Sequence, residues 1–333
     1  MRPKLTRLRQ QVVVITGGSS GIGLATARLA GERGAQVVLV SRDDEDLGRA
    51  VREIRERGGR ATHFVADVAD HAALQRVARD VVVEFGRIDT WVNNAGVTVY
   101  GLTEEIPLGD ARRLFETNYW GVVNGSLAAL PHLRTGGGAL INIGSVLSDT
   151  GYPLQGHYTA SKHAVKGFTD SLRLEVEKSG AAVSVTLIQP AAIDTPYTDH
   201  ARNHLGVQAR QMPPVYAPEV VAKAILRCAE KPERNVLVGG SGKLFSTGEK
   251  FVPRLFDLMK EATGFDGQRT DTPARDENTL FHPRPHDGRV RGSYPGRVMV
   301  SSAYTEARLH RGRTLLGLAV LGAGLLVANR GRS

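Results

Sequence analysis

The chain has 333 residues, 41% hydrophobic and 23% charged, which suits a globular protein with one large α/β domain and an appendage. Its single cysteine, Cys228, excludes an internal disulfide and a multi-cysteine metal site. The net charge of +9 is uneven: residues 264–333 hold eleven Arg, no Lys and six acids, giving +5, so the excess describes a basic tail rather than a nucleic-acid-binding domain.

The basic N-terminus MRPKLTRLRQQ runs directly into a strand-like VVVIT (12–16), with no separate apolar segment or small-residue cleavage site. No signal peptide is expected, and a cytoplasmic location follows. The next stretch, TGGSSGIG (16–23), leaves a strand and opens a helix. Gly17, Gly21 and Gly23 allow a sharp turn and close approach of a ligand, with Ser19, Ser20 and Ile22 completing the turn. The helix N-terminus offers N–H groups and the positive end of a dipole to a pyrophosphate.

The second strand, 36–41, ends in Ser41-Arg42, a hydroxyl and a guanidinium suited to the 2′-phosphate of NADP(H). NADP(H) is therefore favoured over NAD(H), although Asp43 and Asp44 follow and either could instead cap the next helix. Further strands are expected at 61–66, 88–93, 139–145, 182–189 and 235–239. Most are nearly continuous apolar runs, as strands covered on both faces should be. Helical stretches alternate with them, so the fold class is α/β: a doubly wound parallel sheet of Rossmann type, about seven strands, helices on both faces and a C-terminal extension. Within the helix that begins near Gly156, Tyr158 and Lys162 are one turn apart and share a face.

The catalytic domain should occupy residues 1–263. A Pro/Arg-rich, poorly ordered linker is expected over 264–313, then an apolar helix over 314–330. The uncharged core of that helix, 315–328, has fourteen residues flanked by arginines. At about 1.5 Å per residue it spans roughly 21 Å, against about 30 Å of hydrocarbon. It would serve either as a short membrane anchor or as a helix packed on protein.

NNAG (93–96), Asn118 in ETNYWG, Ser145 in INIGSV, the Tyr158–Lys162 pair and TGGSSGIG together resemble the short-chain dehydrogenase/reductase family, in its compact single-domain branch, over about residues 10–240. The resemblance implies Tyr158 as acid/base and Lys162 as the group that lowers its pKa and binds the nicotinamide ribose. It implies Ser145 as the group orienting the carbonyl, and Asn118 as support for a water-linked proton relay. Asp67 and Val68 would border the adenine, and Asn94, Ala95 and Gly96 would shape the cleft. Pro190, Ile193 and Thr195 would contact the nicotinamide, with Ala191 where the family usually has glycine. Helices over 118–133 and 157–178 resemble those through which family members pair, implying a homo-oligomer.

The chemistry also follows from the residues. A free phenol titrates near 10, too high for efficient proton transfer at neutral pH, and a nearby ammonium favours the phenolate. A serine hydroxyl on the same substrate oxygen stabilises developing charge. His157 and His163 point elsewhere by helical offset, and His282 and His286 have no credible partner ligands, so no metal is expected. The leading expectation is an NADP-preferring oxidoreductase that interconverts a ketone or aldehyde and an alcohol, acting on an apolar or amphipathic compound. The rival is a membrane-associated dinucleotide-binding scaffold or sensor with little catalysis.

Overall fold

The computed structural model of the protein describes residues 3–284 and 286–309. The seven apolar runs become β1 (Val12–Thr16), β2 (Gln36–Ser41), β3 (Arg60–Val65), β4 (Thr90–Asn93), β5 (Gly138–Ile143), β6 (Val183–Pro190) and β7 (Asn235–Val238). Between them run α1 (Gly21–Glu32), α2 (Asp44–Glu56), α3 (His71–Phe85), α4 (Leu108–Phe115), α5 (Gly121–Gly136), α6 (Gly156–Lys178) and α7 (Pro218–Glu230). The strands form one parallel sheet in the order β7-β6-β5-β4-β1-β2-β3. The order reverses direction between β1 and β4, which opens a crevice at the C-terminal strand ends.

Strand alternation feeds two cores. Val13, Ile15, Val37 and Leu39 pack on one face with residues of α1, α2 and α7. Val12, Val14, Val38 and Val40 pack on the other with α3, α5 and α6. Both faces are covered, which is why the strands read as unbroken apolar runs rather than as alternation with polar residues.

Helix entry is handled differently along the crevice. Asp43 caps α2 by accepting from the Asp46 N–H at 2.8 Å, and Asp70 caps α3 by accepting from the Ala73 N–H at 2.9 Å. At α1 the N-cap residue Ser20 makes no side-chain capping bond and no acid lies in the first turn. That helix end, at the glycine turn, has no side-chain cap, and the Gly21 N–H donates to the Arg289 carbonyl at 2.9 Å.

Beyond β7 two helices come first, and the linker expected over 264–313 then carries further regular structure up to residue 309. α8 (Gly240–Phe251) and α9 (Pro253–Gly267) are followed by Arg269–Pro273, antiparallel to Val207–Ala209, and by Val298–Met299, parallel to Val215–Tyr216. α10 (Ala303–Leu309) then packs on α7 and β7. Leu280 is fully buried and Val290 nearly so. Tertiary contacts hold this segment where local propensity could not. Among the described residues no helix is long and apolar enough to cross a membrane. The expected apolar helix over 314–330 lies outside the described residues.

Candidate active site

The glycine turn is built by close contacts. Gly17 has φ +64°, and a Cβ on Gly23 would lie 2.0 Å from the Gly17 carbonyl oxygen. Asn94, at the end of β4, donates to the carbonyls of Thr16 and Gly17 at 3.0 and 3.1 Å, fastening that strand end to the turn.

Two cavities open along the crevice. The larger, about 340 Å³, is lined by Gly17, Ser20, Gly21, Ile22, Asn94, Ala95 and Gly96 at one side. Ser145, Tyr158, Lys162, Pro190, Ile193 and Thr195 line it further in. The smaller, about 130 Å³, is lined by Ser19, Ser41, Arg42, Asp67 and Val68. The two share Gly17, Ser20, Ala95, Gly96 and His200, so they are neighbouring compartments of one crevice. Of the residues singled out in the sequence, Gly23 and Asn118 line neither.

Tyr158 and Lys162 meet as helical spacing requires, with Nζ 5.7 Å from the tyrosine ring centre. The ammonium donates to the Ile143 carbonyl at 3.0 Å. Burial pulls Lys162 down to about 8 from its ordinary 10.5. Burial also pushes the Tyr158 phenol upward, while hydrogen bonds with Tyr197 and Ser145 pull it down. The sequence led to the opposite net direction, because charge was weighed there without the desolvation that accompanies a fully enclosed phenol. The Ser145 hydroxyl accepts from the Leu147 N–H at 3.1 Å, which fixes its orientation at the start of a short turn.

Asn118 sits under the crevice in a π-turn, Glu116–Trp120, between α4 and α5. Its amide accepts from Val97 N–H at 2.8 Å and donates to the Val97 carbonyl at 3.0 Å and to Ser161 at 3.1 Å. The side chain is thus engaged structurally, and a relay would have to use the backbone of the π-turn.

At the other end Asp67 accepts from the Ala69 N–H and from Arg113. Although burial works upward, those bonds hold its carboxyl below the ordinary value. Arg42 donates to the carbonyls of Thr279, Leu280 and Phe281. Asp44 pairs with His63 at 2.9 Å. Asp43 caps α2 through one carboxylate oxygen and also lines the smaller cavity.

Several residues were not anticipated. Tyr197, two positions after Thr195, bonds to Tyr158 and donates to Gln155 at 3.2 Å. Gln155 in turn bonds to Gln268 at 2.6 Å, which brings the C-terminal segment into the cavity wall. Lys260 lines the same wall, buried and paired with Glu249 at 3.0 Å, so it presents no unbalanced charge. Tyr100, Leu147, Tyr152, Met212 and Met259 make much of the rest apolar. Tyr197 and Met212 had a visible cue, their place in the segment that leaves the C-terminal end of β6. Cys228 is buried, and burial pushes its thiol up to about 12, consistent with a packing residue. Among the described residues no group of His, Cys, Asp and Glu could hold a metal.

Comparison with known proteins agrees with this geometry. A family model described as short chain dehydrogenase matches residues 11–206. The chain is 42% identical over 330 residues to "Uncharacterized oxidoreductase YxnA" of Bacillus subtilis, covering 97% of this chain and 91% of that protein. It is 34% identical over 194 residues to a 3-ketodihydrosphingosine reductase of Bacteroides thetaiotaomicron, covering 58% of this chain and 68% of that one. A metagenomic short-chain oxidoreductase solved with NADP superposes with TM-score 0.58 at 29% identity, covering 68% of this chain and 96% of its own. An alcohol dehydrogenase from Thermococcus sibiricus, solved with 5-hydroxy-NADP, shares the fold at TM-score 0.61 and 24% identity, covering 68% of this chain and 95% of its own. Seven parallel strands, the glycine turn and the matched residues lead to one conclusion: the chain belongs to the short-chain dehydrogenase/reductase family of oxidoreductases.

Proposed function

We propose that this protein is an NADP(H)-dependent oxidoreductase that interconverts a ketone or aldehyde and an alcohol, with Tyr158 as acid/base. The observation that carries this reading is the cluster of Tyr158, Ser145 and Lys162 on the wall of a cavity that continues to the glycine turn at the start of α1. The crevice fits a dinucleotide: the glycine turn and α1 would hold its pyrophosphate, Asn94 to Gly96 its middle, and Lys162 its nicotinamide ribose. When bound, the nicotinamide donates or accepts the hydride. Tyr158 donates a proton to the carbonyl oxygen in reduction and accepts it in oxidation. Ser145 shares that oxygen through its hydroxyl and stabilises the negative charge that builds there. Lys162 keeps a cation beside the phenol, whose burial otherwise disfavours phenolate.

NADP(H) preference rests on Arg42 lining the adenosine-end cavity at the tip of β2. The NADP complex of the metagenomic relative agrees with it. Substrate class follows from the aromatic and methionine lining, which suits an apolar or amphipathic compound; the 3-ketodihydrosphingosine in the name of the Bacteroides relative is of that kind. Leu127 and Leu174 remain exposed on α5 and α6, which supports pairing through those helices into a homo-oligomer.

Tyr158→Phe tests the assignment. It should bind NADPH like the parent and lose at least about 10²-fold in turnover across a panel of ketones and aldehydes. Turnover within a few-fold of the parent would remove Tyr158 from the mechanism. NADPH consumption by the parent on any member of the panel also separates this reading from a non-catalytic sensor.

A further inference from the structure

Tyr158 is tied to the C-terminal segment by side chains that the proposed reaction does not itself use. Gln268, buried just past α9, donates its amide hydrogens to two backbone carbonyls, of Gly264 at 2.6 Å and of Pro153 at 2.9 Å. Only its own oxygen is left for a further partner, and Gln155 donates to it at 2.6 Å. The Gln155 amide is thereby turned so that its oxygen faces Tyr197, whose hydroxyl donates to it at 3.2 Å. Beyond Tyr197 stands Tyr158, the two rings edge to face with centres 5.5 Å apart and their side chains hydrogen-bonded.

The fold imposes this arrangement at both ends. Leu154, next to Gln155, has φ +64°, a conformation that bulky side chains rarely adopt. It is buried, and its carbonyl accepts from the Gly101 N–H at 3.0 Å, so the strained residue is held in place and aims Gln155 at the start of α6. A Cβ on Gly264 would meet the Pro153 side chain at 2.7 Å, so α9 approaches residue 153 closely enough for Gln268 to reach both carbonyls. The Tyr197 hydroxyl thus has one hydrogen and two oxygens to choose between. While Tyr158 is a neutral phenol, Gln155 takes it. Once Tyr158 has given its proton to the substrate oxygen, the phenolate is the stronger acceptor, because hydrogen bonds to a charged oxygen exceed those to an amide oxygen. Tyr197 keeps its own proton in both states, so no proton passes along the chain. The other ionisable groups around Tyr158 are Lys162 on the same helix and Tyr100, while Tyr152, His200, Arg210 and Lys260 share the cavity wall.

Resting on Tyr158 as the acid/base, we propose that Tyr197 is a positioning residue whose hydroxyl turns from Gln155 to the Tyr158 oxygen when the phenolate forms. Gln155, fixed by Gln268, competes for that hydroxyl and so sets how far the response goes. The competition holds the site toward its proton-loaded form, which is the form that reduces a carbonyl. Gln268 lies beyond the residues 11–206 matched by the family model, so the C-terminal addition of this chain reaches the acid/base through two side chains.

The test uses the full chain, NADP+ and the alcohol of whichever panel compound the parent turns over fastest. Profiles of kcat and kcat/KM against pH are recorded for the parent, Tyr197→Phe, Gln155→Met and the double variant. Tyr197→Phe keeps the ring and should move the ionisation that limits oxidation upward by about one pH unit. Oxidation below that ionisation should slow about tenfold, with the high-pH plateau within about threefold of the parent. Gln155→Met removes the competing acceptor and should move the ionisation down by about half a pH unit. The double variant should match Tyr197→Phe, because Gln155 acts only through Tyr197. Lys162, pulled down to about 8, titrates in all four proteins and drops out of the differences. An unmoved ionisation in Tyr197→Phe, a loss confined to the plateau, shifts of the same sign in both single variants, or additive shifts in the double variant would each overturn the inference while leaving Tyr158 as acid/base. A parent inactive on the whole panel, or a Tyr158→Phe that stays active, would sink the acid/base reading and this inference with it.

Discussion

Lys162 carries a cost that pH should reveal. Its ammonium is enclosed, hydrogen-bonded to a single carbonyl, and pulled from 10.5 down to about 8. A base whose folded pKa lies below its unfolded one destabilises the fold at low pH, and that penalty fades as pH rises through the interval between the two values. That gap is worth roughly 3 kcal/mol near pH 7, at about 1.36 kcal/mol per pH unit. Linkage over those two values relieves roughly 2 kcal/mol of it by pH 9.5. Lys162→Met keeps the length of the side chain and removes the charge. The stability advantage of the variant over the parent should therefore be greatest near pH 7 and shrink by roughly 2 kcal/mol at pH 9.5. At about 2.1 cal/mol/K per residue, that change is roughly 3 °C in Tm for a chain of this size. Thermal or urea unfolding of both proteins across that range, without cofactor, measures the difference and cancels other titrating groups. A difference that is flat with pH, or that grows, would refute the argument that burial governs this lysine.

Two other substitutions probe the site's framework. Gly23→Ala should reduce NADPH affinity at least about 10²-fold or disturb folding, because the added methyl would overlap the Gly17 carbonyl; fluorescence titration with circular dichroism separates these. Parent-like affinity would show that the turn can yield. Asn118→Ala should lower stability by about 2–3 kcal/mol, since it strands the Val97 N–H and carbonyl in a buried setting. If Tm is unchanged while turnover falls, the side chain acts in the reaction rather than in holding the crevice floor.

The sheet was legible because both of its faces are covered: VVVIT and QVVLVS become β1 and β2 with the bounds their apolar runs suggest. The glycine turn and the Tyr158–Lys162 pair were legible because short-range geometry dictates their spacing. The C-terminal segment was not. Its anchoring bond from Arg42 to Thr279 joins residues 237 positions apart, and its Pro, Arg and Gly content resembles that of an unstructured linker. The same limit applied to Tyr158, whose titration depends on enclosure by residues from several distant segments. Tyr197 and Gln268 reach the cavity by the same long-range folding.

The position of His200 has a kinetic consequence. It borders both compartments and pairs with Asp287, while its neighbour Asp199 holds Arg289. The segment that walls the larger compartment is thus fastened to the one that roofs the smaller. Loosening one strains the other, so the two compartments should open together rather than independently.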